Sequence, residues 1–171
     1  SRQFSKVLNV FLSSESNSRR SAEDEMSRRI PGSVSSYTVL PDSVLNSTAQ
    51  AKAYVVSQGF DGAVLIRPVA TDKETSYVPG TTYMAPAGYG TFGGYWGYGW
   101  GGAYDPGHYR QDQVVYVESN VYSLTDDKLL WSAKTKTYNP DNNPKMIKEI
   151  IDGSIAEMQK QGIVTRVRPP Q

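Results

Sequence analysis

One stretch constrains the fold more than any other part of the chain: YVPGTTYMAPAGYGTFGGYWGYGWGGAYDPGHY, from Tyr77 to Tyr109. It holds ten of the fifteen glycines, seven of the twelve tyrosines and two of the three tryptophans. Because glycine loses more backbone entropy on ordering than any other residue, the run is predicted to form neither a helix nor an ordinary core strand. Aromatic rings need a surface to pack on, which distinguishes the run from a Gly/Ser spacer. We therefore predict an inserted loop over about residues 77–110 that is either functional or disordered.

The remaining sequence is typical of one globular domain. Its 171 residues are enough to bury a core, and the net charge of +1 does not favour nucleic-acid binding. The sequence has no apolar run of about 18 residues, so no membrane-spanning helix is predicted. It contains no cysteine, which excludes disulfides, thiolate metal sites and a cysteine nucleophile. No signal peptide is visible, but a processed chain would look the same.

The first seventy residues alternate between strand and helix patterns, which predicts parallel strands joined by right-handed crossovers. The predicted strands are Phe4–Leu12, Ser35–Leu40 and Ala63–Ile66, and the predicted helices are Ser18–Ile30 and Ser43–Gln58. The first helix has the apolar stripe Ala22, Met26 and Ile30, and the second has Leu45, Ala49, Ala53 and Val56. The charged pairs at i,i+4 on the first helix, such as Arg19 with Glu23, are predicted to form a solvated face.

The last third of the sequence is predicted to form a β-hairpin and a helix. Strands Gln113–Leu124 and Lys128–Tyr138 flank the turn residues Asp126 and Asp127. On the second strand, Leu129, Trp131 and Ala133 are expected to share one face. The C-terminal helix begins at Pro144, with the buried stripe Ile147, Ile150, Ile151, Ile155 and Met158, and Ile163–Val167 is expected to add a short edge strand. The predicted fold class is therefore α/β with an α+β tendency: a mixed sheet in one domain, residues 1–171.

No motif in the sequence predicts catalysis, a cofactor or a metal site. Gly88 to Gly93 match G-x-G-x-x-G, but a dinucleotide site needs a strand before the motif and a helix after it, and neither is predicted here. His108 is the only histidine, and Asp126 and Asp127 are predicted turn residues. The glycosylation-like triplet 46–48 falls inside the second predicted helix. Without a convergent nucleophile, acid or base, we expect no enzyme activity.

The glycine-rich run leaves four interpretations open: rings that cover the sheet, a partner-binding surface, a disordered segment, or a hairpin inserted in a membrane. Tyrosine and tryptophan make good interface anchors because they bury much area at low entropic cost. The candidate interaction residues are Tyr89, Phe92, Tyr95, Trp96, Tyr98, Trp100 and Tyr104.

Several segments outside this run resemble small bacterial envelope lipoproteins. They are FSKVLNVFLSSESNSRRSAEDEMSRRI, SSYTVLPD, QGFDGAVLIRPV and YVESNVYSLTDDKLLWSAKTKTYNP, followed by the C-terminal helix. The most specific parts are Gly59 to Ala63 and Leu124 to Ser132. The element order also resembles the periplasmic α/β module of TolB N-terminal domains and of the curli secretion lipoprotein. The resemblance implies export to the bacterial periplasm and outer-membrane anchoring through a lipidated cysteine, which would lie upstream of Ser1.

Together these patterns favour a non-enzymatic lipoprotein domain that acts as a binding or scaffold component of an envelope assembly. Its expected partner is an envelope protein or a second copy, with no nucleic acid. The alternative is a ligand-binding module whose aromatic loop stacks on glycan or peptide. An enzyme would require a convergent polar pocket.

Overall fold

The computed structural model describes residues 4–71, 89–101, 114–138 and 143–162. In chain order the elements are β1 (Val7–Phe11), α1 (Ser16–Arg29), β2 (Ser33–Ser35), α2 (Ser36–Val39), a 3-10 turn (Asp42–Val44), α3 (Thr48–Ser57), β3 (Gly62–Thr71), α4 (Phe92–Gly101), β4 (Val114–Ser123), β5 (Lys128–Tyr138) and α5 (Asn143–Lys160).

The described strands form a five-stranded mixed sheet in the order β2-β1-β3-β4-β5. β1 is parallel to both β2 and β3, whereas β3, β4 and β5 are successively antiparallel. This arrangement confirms the predicted α/β class and the hairpin that turns at residues 126 and 127. Asp127 has a φ of 51°, a left-handed conformation that aspartate tolerates in tight turns.

Helices cover both faces of the sheet, so the alternating side chains of each strand enter two separate cores. The first core lies between the sheet and helices α1 and α5; it includes Val7, Phe11, Val64, Ile66, Val117 and Val121 from the strands. The second core lies under α3 and α4; it includes Leu8, Val10, Leu12, Ala63, Leu65 and Tyr122. The predicted stripes of α1 and α5 are buried as expected, and Ile66 is fully buried.

The second predicted strand exists and is parallel to β1, but its predicted bounds, Ser35–Leu40, are wrong. β2 ends at Ser35, and the next four residues form the helical turn α2, closed by the Leu40 N–H donating to the Ser36 carbonyl at 2.8 Å. The Ser36 hydroxyl and the Tyr37 N–H both donate to the buried carboxylate of Glu23. This contact with α1 bends the chain out of the strand, so a tertiary interaction overrides the local β pattern.

The second predicted helix begins too early. Residues 42–44 form a 3-10 turn, and α3 starts only at Thr48 with Ser47 as its N-cap, whose hydroxyl accepts from the Gln50 N–H at 3.3 Å. The 46–48 triplet therefore lies at the helix start. The late start changes which side faces the sheet: Ala51 and Val55 are buried, whereas Val56, which was predicted to be buried, is 51% exposed.

The hairpin contains a β-bulge that the alternation did not predict. Val121 pairs with Trp131 while the next residue, Tyr122, pairs with Leu129, so Leu130 is an extra residue in β5. Leu129 consequently packs toward the second core and Trp131 toward the first. The prediction that these two side chains share a face is therefore wrong.

The largest correction concerns the glycine-rich run, where residues 92–101 form helix α4. Its glycines allow close packing. A Cβ at Gly93 or Gly97 would lie 3.2 or 3.0 Å from the side chain of Thr48 on α3, and a Cβ at Gly99 would overlap the side chain of Leu12, the residue after β1. Glycine costs a helix about 1 kcal/mol relative to alanine. Here the contacts that the missing Cβ permits offset that cost.

The segment Gly59 to Ala63 has a structural role. Gly59 has a φ of 86°, which ends α3 in the left-handed conformation that glycine favours. The Asp61 carboxylate accepts hydrogen bonds from the backbone N–H groups of Ser5 and Lys6 at 2.9 and 3.0 Å. At Gly62, a Cβ would lie 2.7 Å from the buried ring of Phe4. The expected edge strand Ile163–Val167 lies outside the described residues.

Candidate binding pocket

A crevice is expected where neighbouring parallel strands send their connections to opposite faces of a sheet. β1 and β2 meet this condition. The connection after β1 contains α1, which packs in the first core, and the connection after β2 contains α3, which packs in the second core. The two chain segments therefore diverge just beyond the carboxyl ends of β1 and β2. In open α/β sheets this is where ligands bind.

A pocket of about 400 Å³ occupies this position. We call it the switch-point pocket. It is lined by residues that follow β1, residues that follow β2 and one residue of α4: Ser13, Ser14, Ser16, Arg19, Arg20, Tyr37, Asp42, Leu45, Asn46 and Trp100. Its volume lies within the range of about 300–1,000 Å³ that is typical of small-molecule sites.

One side of the pocket rests on a buried ion pair between Arg19 and Glu23. The Arg19 Nε donates to Glu23 Oε2 at 3.3 Å, and its Nη2 donates to the Ser36 hydroxyl at 2.7 Å. The same carboxylate also accepts from the Phe11 N–H at 2.9 Å and the Tyr37 N–H at 2.8 Å. Both charged residues are buried, so the predicted solvated face is wrong for this pair. The two charges can be buried at this position because they face each other and each also makes hydrogen bonds to neighbouring groups.

Burial and the surrounding contacts have opposite effects on the pKa of Glu23. Burial raises the pKa of its carboxyl, while the charge of Arg19 and the hydrogen bonds from Ser36, Phe11 and Tyr37 oppose the rise; the net pKa is above the ordinary value. The pair fixes Arg19 in the pocket wall and joins α1, β1 and α2 at one point.

Aromatic rings form another part of the wall. The Arg19 guanidinium lies 5.3 Å from the Trp100 ring centroid, and Trp96 meets Trp100 edge-on at 5.8 Å. Arg20 lies over the Tyr37 ring at 5.6 Å. The indole Nε1 of Trp100 is buried and has no hydrogen-bond partner among the described residues. Leaving such a donor unpaired costs about 1–3 kcal/mol.

Helix α4 brings Trp100 to the pocket because a second buried polar cluster attaches this helix to the sheet. We call this cluster the α4 latch; it comprises Arg67, Tyr89, Tyr95 and Glu118. Arg67 donates to the Glu118 carboxylate at 2.7 and 2.9 Å, and the Tyr89 hydroxyl donates to it at 2.8 Å. The Tyr95 hydroxyl reaches the same carboxylate at 3.3 Å. The residues of the latch are at most 5% exposed.

The latch holds Arg67 in its charged form and its two tyrosines in their neutral form. Burial opposes the charge on Arg67, but Glu118 raises the arginine pKa above its usual value. Burial is also the main cause that raises the pKa of Tyr89 and of Tyr95, reinforced by the Glu118 carboxylate. Both tyrosines therefore remain protonated donors over the physiological range, and the cluster is structural.

The structure divides the predicted interaction residues into three groups. Tyr89, Phe92, Tyr95 and Trp96 are fully buried in the second core, Tyr98 is 51% exposed and Trp100 is half-buried beside the pocket; Tyr104 lies outside the described residues. For residues 89–101, the rings cover the sheet. That these side chains contact a partner stays a prediction, and within the described part of α4 Tyr98 is the ring with most surface to offer.

The prediction that no helix is associated with the G-x-G-x-x-G match is wrong, because helix α4 begins at Phe92, within the matched segment. The residues that precede Gly88 lie outside the description, as does His108. Within the described ranges, no group of three or more acidic, histidine or cysteine side chains is arranged to hold a metal ion. No helix there is long and apolar enough to cross a membrane.

Sequence reasoning missed the pocket residues that follow β1 and β2, notably Arg20, Asp42 and Asn46. The sequence pattern places each of them on a helix surface or in a connection. The available signal was their position directly after two predicted parallel strands, where loops converge in α/β folds.

No protein-family model and no curated protein matches this sequence. Among solved structures, the PelC dodecamer from Paraburkholderia phytofirmans is similar at 11% identity and a TM-score of 0.44, over 98% of this chain and 91% of that chain. Lipoprotein GNA1162 from Neisseria meningitidis is similar at 11% identity and a TM-score of 0.39, over 91% and 96%. At these TM-scores neither likeness carries an argument about this chain. The resemblance to the TolB and curli modules stays a prediction.

Proposed function

We propose that this chain is a non-enzymatic binding or scaffold domain of a bacterial envelope assembly, located in the periplasm and attached to the outer membrane by a lipid anchor. The resemblance of its strand and helix segments to small envelope lipoproteins supports the compartment. The absence of cysteine from the sequence suits an oxidising environment.

The binding role is inferred from the way in which helix α4 is attached to the sheet. Its inner side is fixed to the sheet by buried rings and by the α4 latch, and the Trp96 indole N–H also donates to the Leu45 carbonyl at 3.2 Å. At the edge of this contact, the Tyr98 ring lies 4.7 Å from the Arg67 guanidinium and meets Tyr89 edge-on at 5.0 Å, yet the residue is still 51% exposed. An exposed aromatic ring on a rigid element loses little entropy on binding, and tyrosine is enriched in interface centres.

The non-enzymatic part of the proposal is supported by the chemistry of the switch-point pocket. Its described lining offers serine hydroxyls but no histidine or lysine; its one carboxylate is Asp42, and its cations are arginines, which do not act as general bases at neutral pH. The Ser13 hydroxyl is itself engaged with the backbone of Glu15.

A matched pair of positions tests the binding role. Val56 on α3 has the same exposed fraction as Tyr98 on α4, 51%. A photo-crosslinking residue is placed at either position in the full-length precursor in its native host. We expect a discrete adduct, either with a second copy or with one envelope protein, from position 98 and none from position 56. Equal labelling at both positions, or none at position 98, would contradict the proposal.

Sedimentation velocity of the purified protein separates the two kinds of partner. If the partner is a second copy, the protein sediments as an oligomer, and Tyr98→Ala shifts it toward the monomer while Val56→Ala does not. If it is another protein, both variants sediment as the monomer. Cell fractionation tests the compartment, and recovery of the precursor-derived protein in the cytosol would refute it.

A further inference from the structure

We propose that the switch-point pocket binds an uncharged polyhydroxyl ligand, a mono- or disaccharide. This is a small-molecule site separate from the Tyr98 surface, so it does not depend on the envelope partner proposed above. Its position at the carboxyl ends of β1 and β2 follows from the topology of the sheet, and its residues come from three different parts of the chain.

The lining has the two components that saccharide binding needs. The rings of Tyr37 and Trp100 supply apolar surface for the C–H faces of a sugar, and both rings are already fixed by neighbours, an arginine in each case. The rest of the lining is polar: it contains serine hydroxyls, the amide of Asn46 and the carboxylate of Asp42. A sugar hydroxyl both donates and accepts, so one ligand can satisfy arginine donors and a carboxylate acceptor together.

The charge balance of the pocket favours a neutral ligand. Arg19 is paired with the buried Glu23, and the charge of Arg20 is matched by that of Asp42 in the same lining. An anion would meet the Asp42 carboxylate, and a cation would meet Arg20. Hydroxyl groups can pair with either without a net electrostatic penalty.

A peptide fits the pocket less well. Peptides commonly bind by adding a strand to an exposed sheet edge. The pocket lies beyond the ends of the strands, and β1 is paired on both sides, with β2 and with β3. The neighbouring edge strand β2 has three residues, which offers little length for strand addition.

Trp100 lines the pocket, so its indole signal provides a readout of binding, while the buried N–H itself, which has no partner among the described residues, reports changes around the ring. ¹H–¹⁵N correlation spectra of the uniformly labelled protein contain one indole signal for each of its three tryptophans. Methyl β-glucopyranoside, N-acetylglucosamine and cellobiose are titrated separately. We expect at least one of them to shift the Trp100 signal saturably while the Trp131 signal on β5 stays in place. Inorganic phosphate and a blocked trialanine peptide should shift neither.

Two variants with a matched control locate the site. Arg20→Ala removes an exposed arginine of the pocket, and Arg28→Ala removes an exposed arginine two turns further along the same helix. Arg20→Ala should weaken sugar binding about tenfold, the loss expected for one hydrogen bond to a charged group, while Arg28→Ala leaves it unchanged. Trp100→Phe keeps a ring but removes the N–H, and should weaken binding less than Trp100→Leu.

The outcomes are distinct even if a Trp100 variant fails to fold, because Arg20 is exposed and its truncation leaves the core intact. No saturable shift with any of the three sugars would overturn the proposal. So would a shift with phosphate, which would indicate an anion site, or with the peptide, which would indicate a peptide site. A sugar response that is equally weakened by Arg20→Ala and Arg28→Ala would place the binding elsewhere.

Discussion

The α4 latch predicts that a single charge-neutralising substitution has a large effect on stability. Glu118→Gln keeps the shape of the side chain and an acceptor for Tyr89, but it removes the negative charge that faces the buried Arg67 guanidinium. The wild-type contacts are short, at 2.7 and 2.9 Å, and both side chains are at most 6% exposed. Removing one partner of such a buried pair costs about 3–5 kcal/mol of folding free energy. We expect a loss in that range.

Urea denaturation measures the loss, with the free energy of unfolding taken by linear extrapolation. The control is Glu25→Gln, which removes the charge that faces the exposed Arg28 on α1. Exposed pairs contribute about 0–1 kcal/mol, so this variant should unfold close to the wild type. Amide exchange should show that Glu118→Gln loses protection first in α4, since the latch is what attaches α4 to the sheet.

A double variant distinguishes the charge from the packing. Arg67→Met/Glu118→Gln removes both charges and keeps the acceptor for Tyr89. It should be more stable than Glu118→Gln alone, because no uncompensated buried charge remains. A loss below about 1 kcal/mol in Glu118→Gln, or a double variant that is less stable than that single variant, would refute the reasoning.

Three further predictions follow from packing and burial. Gly153→Ala, at an exposed site in α5 with open space around the added methyl, should stabilise by about 0.5–1 kcal/mol in urea denaturation. Gly99→Ala should be destabilising relative to it because its methyl overlaps the buried side chain of Leu12. Ile150→Ala should cost about 2–5 kcal/mol, and a loss below about 0.5 kcal/mol would mean that this side chain does not fill the first core. The folded-state pKa of Glu23 is raised. The stability that Glu23 contributes is therefore complete below about pH 4.3 and is lost as the pH rises through its folded-state pKa. Glu23→Gln should remove this pH dependence of the free energy of unfolding. A variant with the same pH dependence as the wild type would contradict the prediction.

Much of the fold could be predicted from the sequence because hydrophobic periodicity is local. The stripes on α1 and α5, the buried Ile66 and the hairpin were all identified by spacing alone, and the structure confirms them. In each of these elements the residues that face the core are close to one another in the sequence. Their spacing alone therefore distinguishes a helix from a strand.

The errors have a common cause, which is that the deciding contact comes from a distant part of the chain. Glycine-rich α4 is a helix because Gly93 and Gly97 let it approach Thr48. The chain leaves β2 at Ser36 because a carboxylate from α1 binds it there. Neither partner is visible in the local pattern.

The candidate pocket depended on tertiary structure even more strongly. The sequence by itself determined the residue types: serines after the first strand, arginines in the first helix and a tryptophan in the glycine-rich run. Only the tertiary structure decided that they meet, since the crossovers of β1 and β2 diverge and a buried Arg67–Glu118 pair holds α4 beside them. Periodicity specifies which side of an element is buried, but which elements meet is set by long-range pairing and buried charge, and that is where the pocket arises.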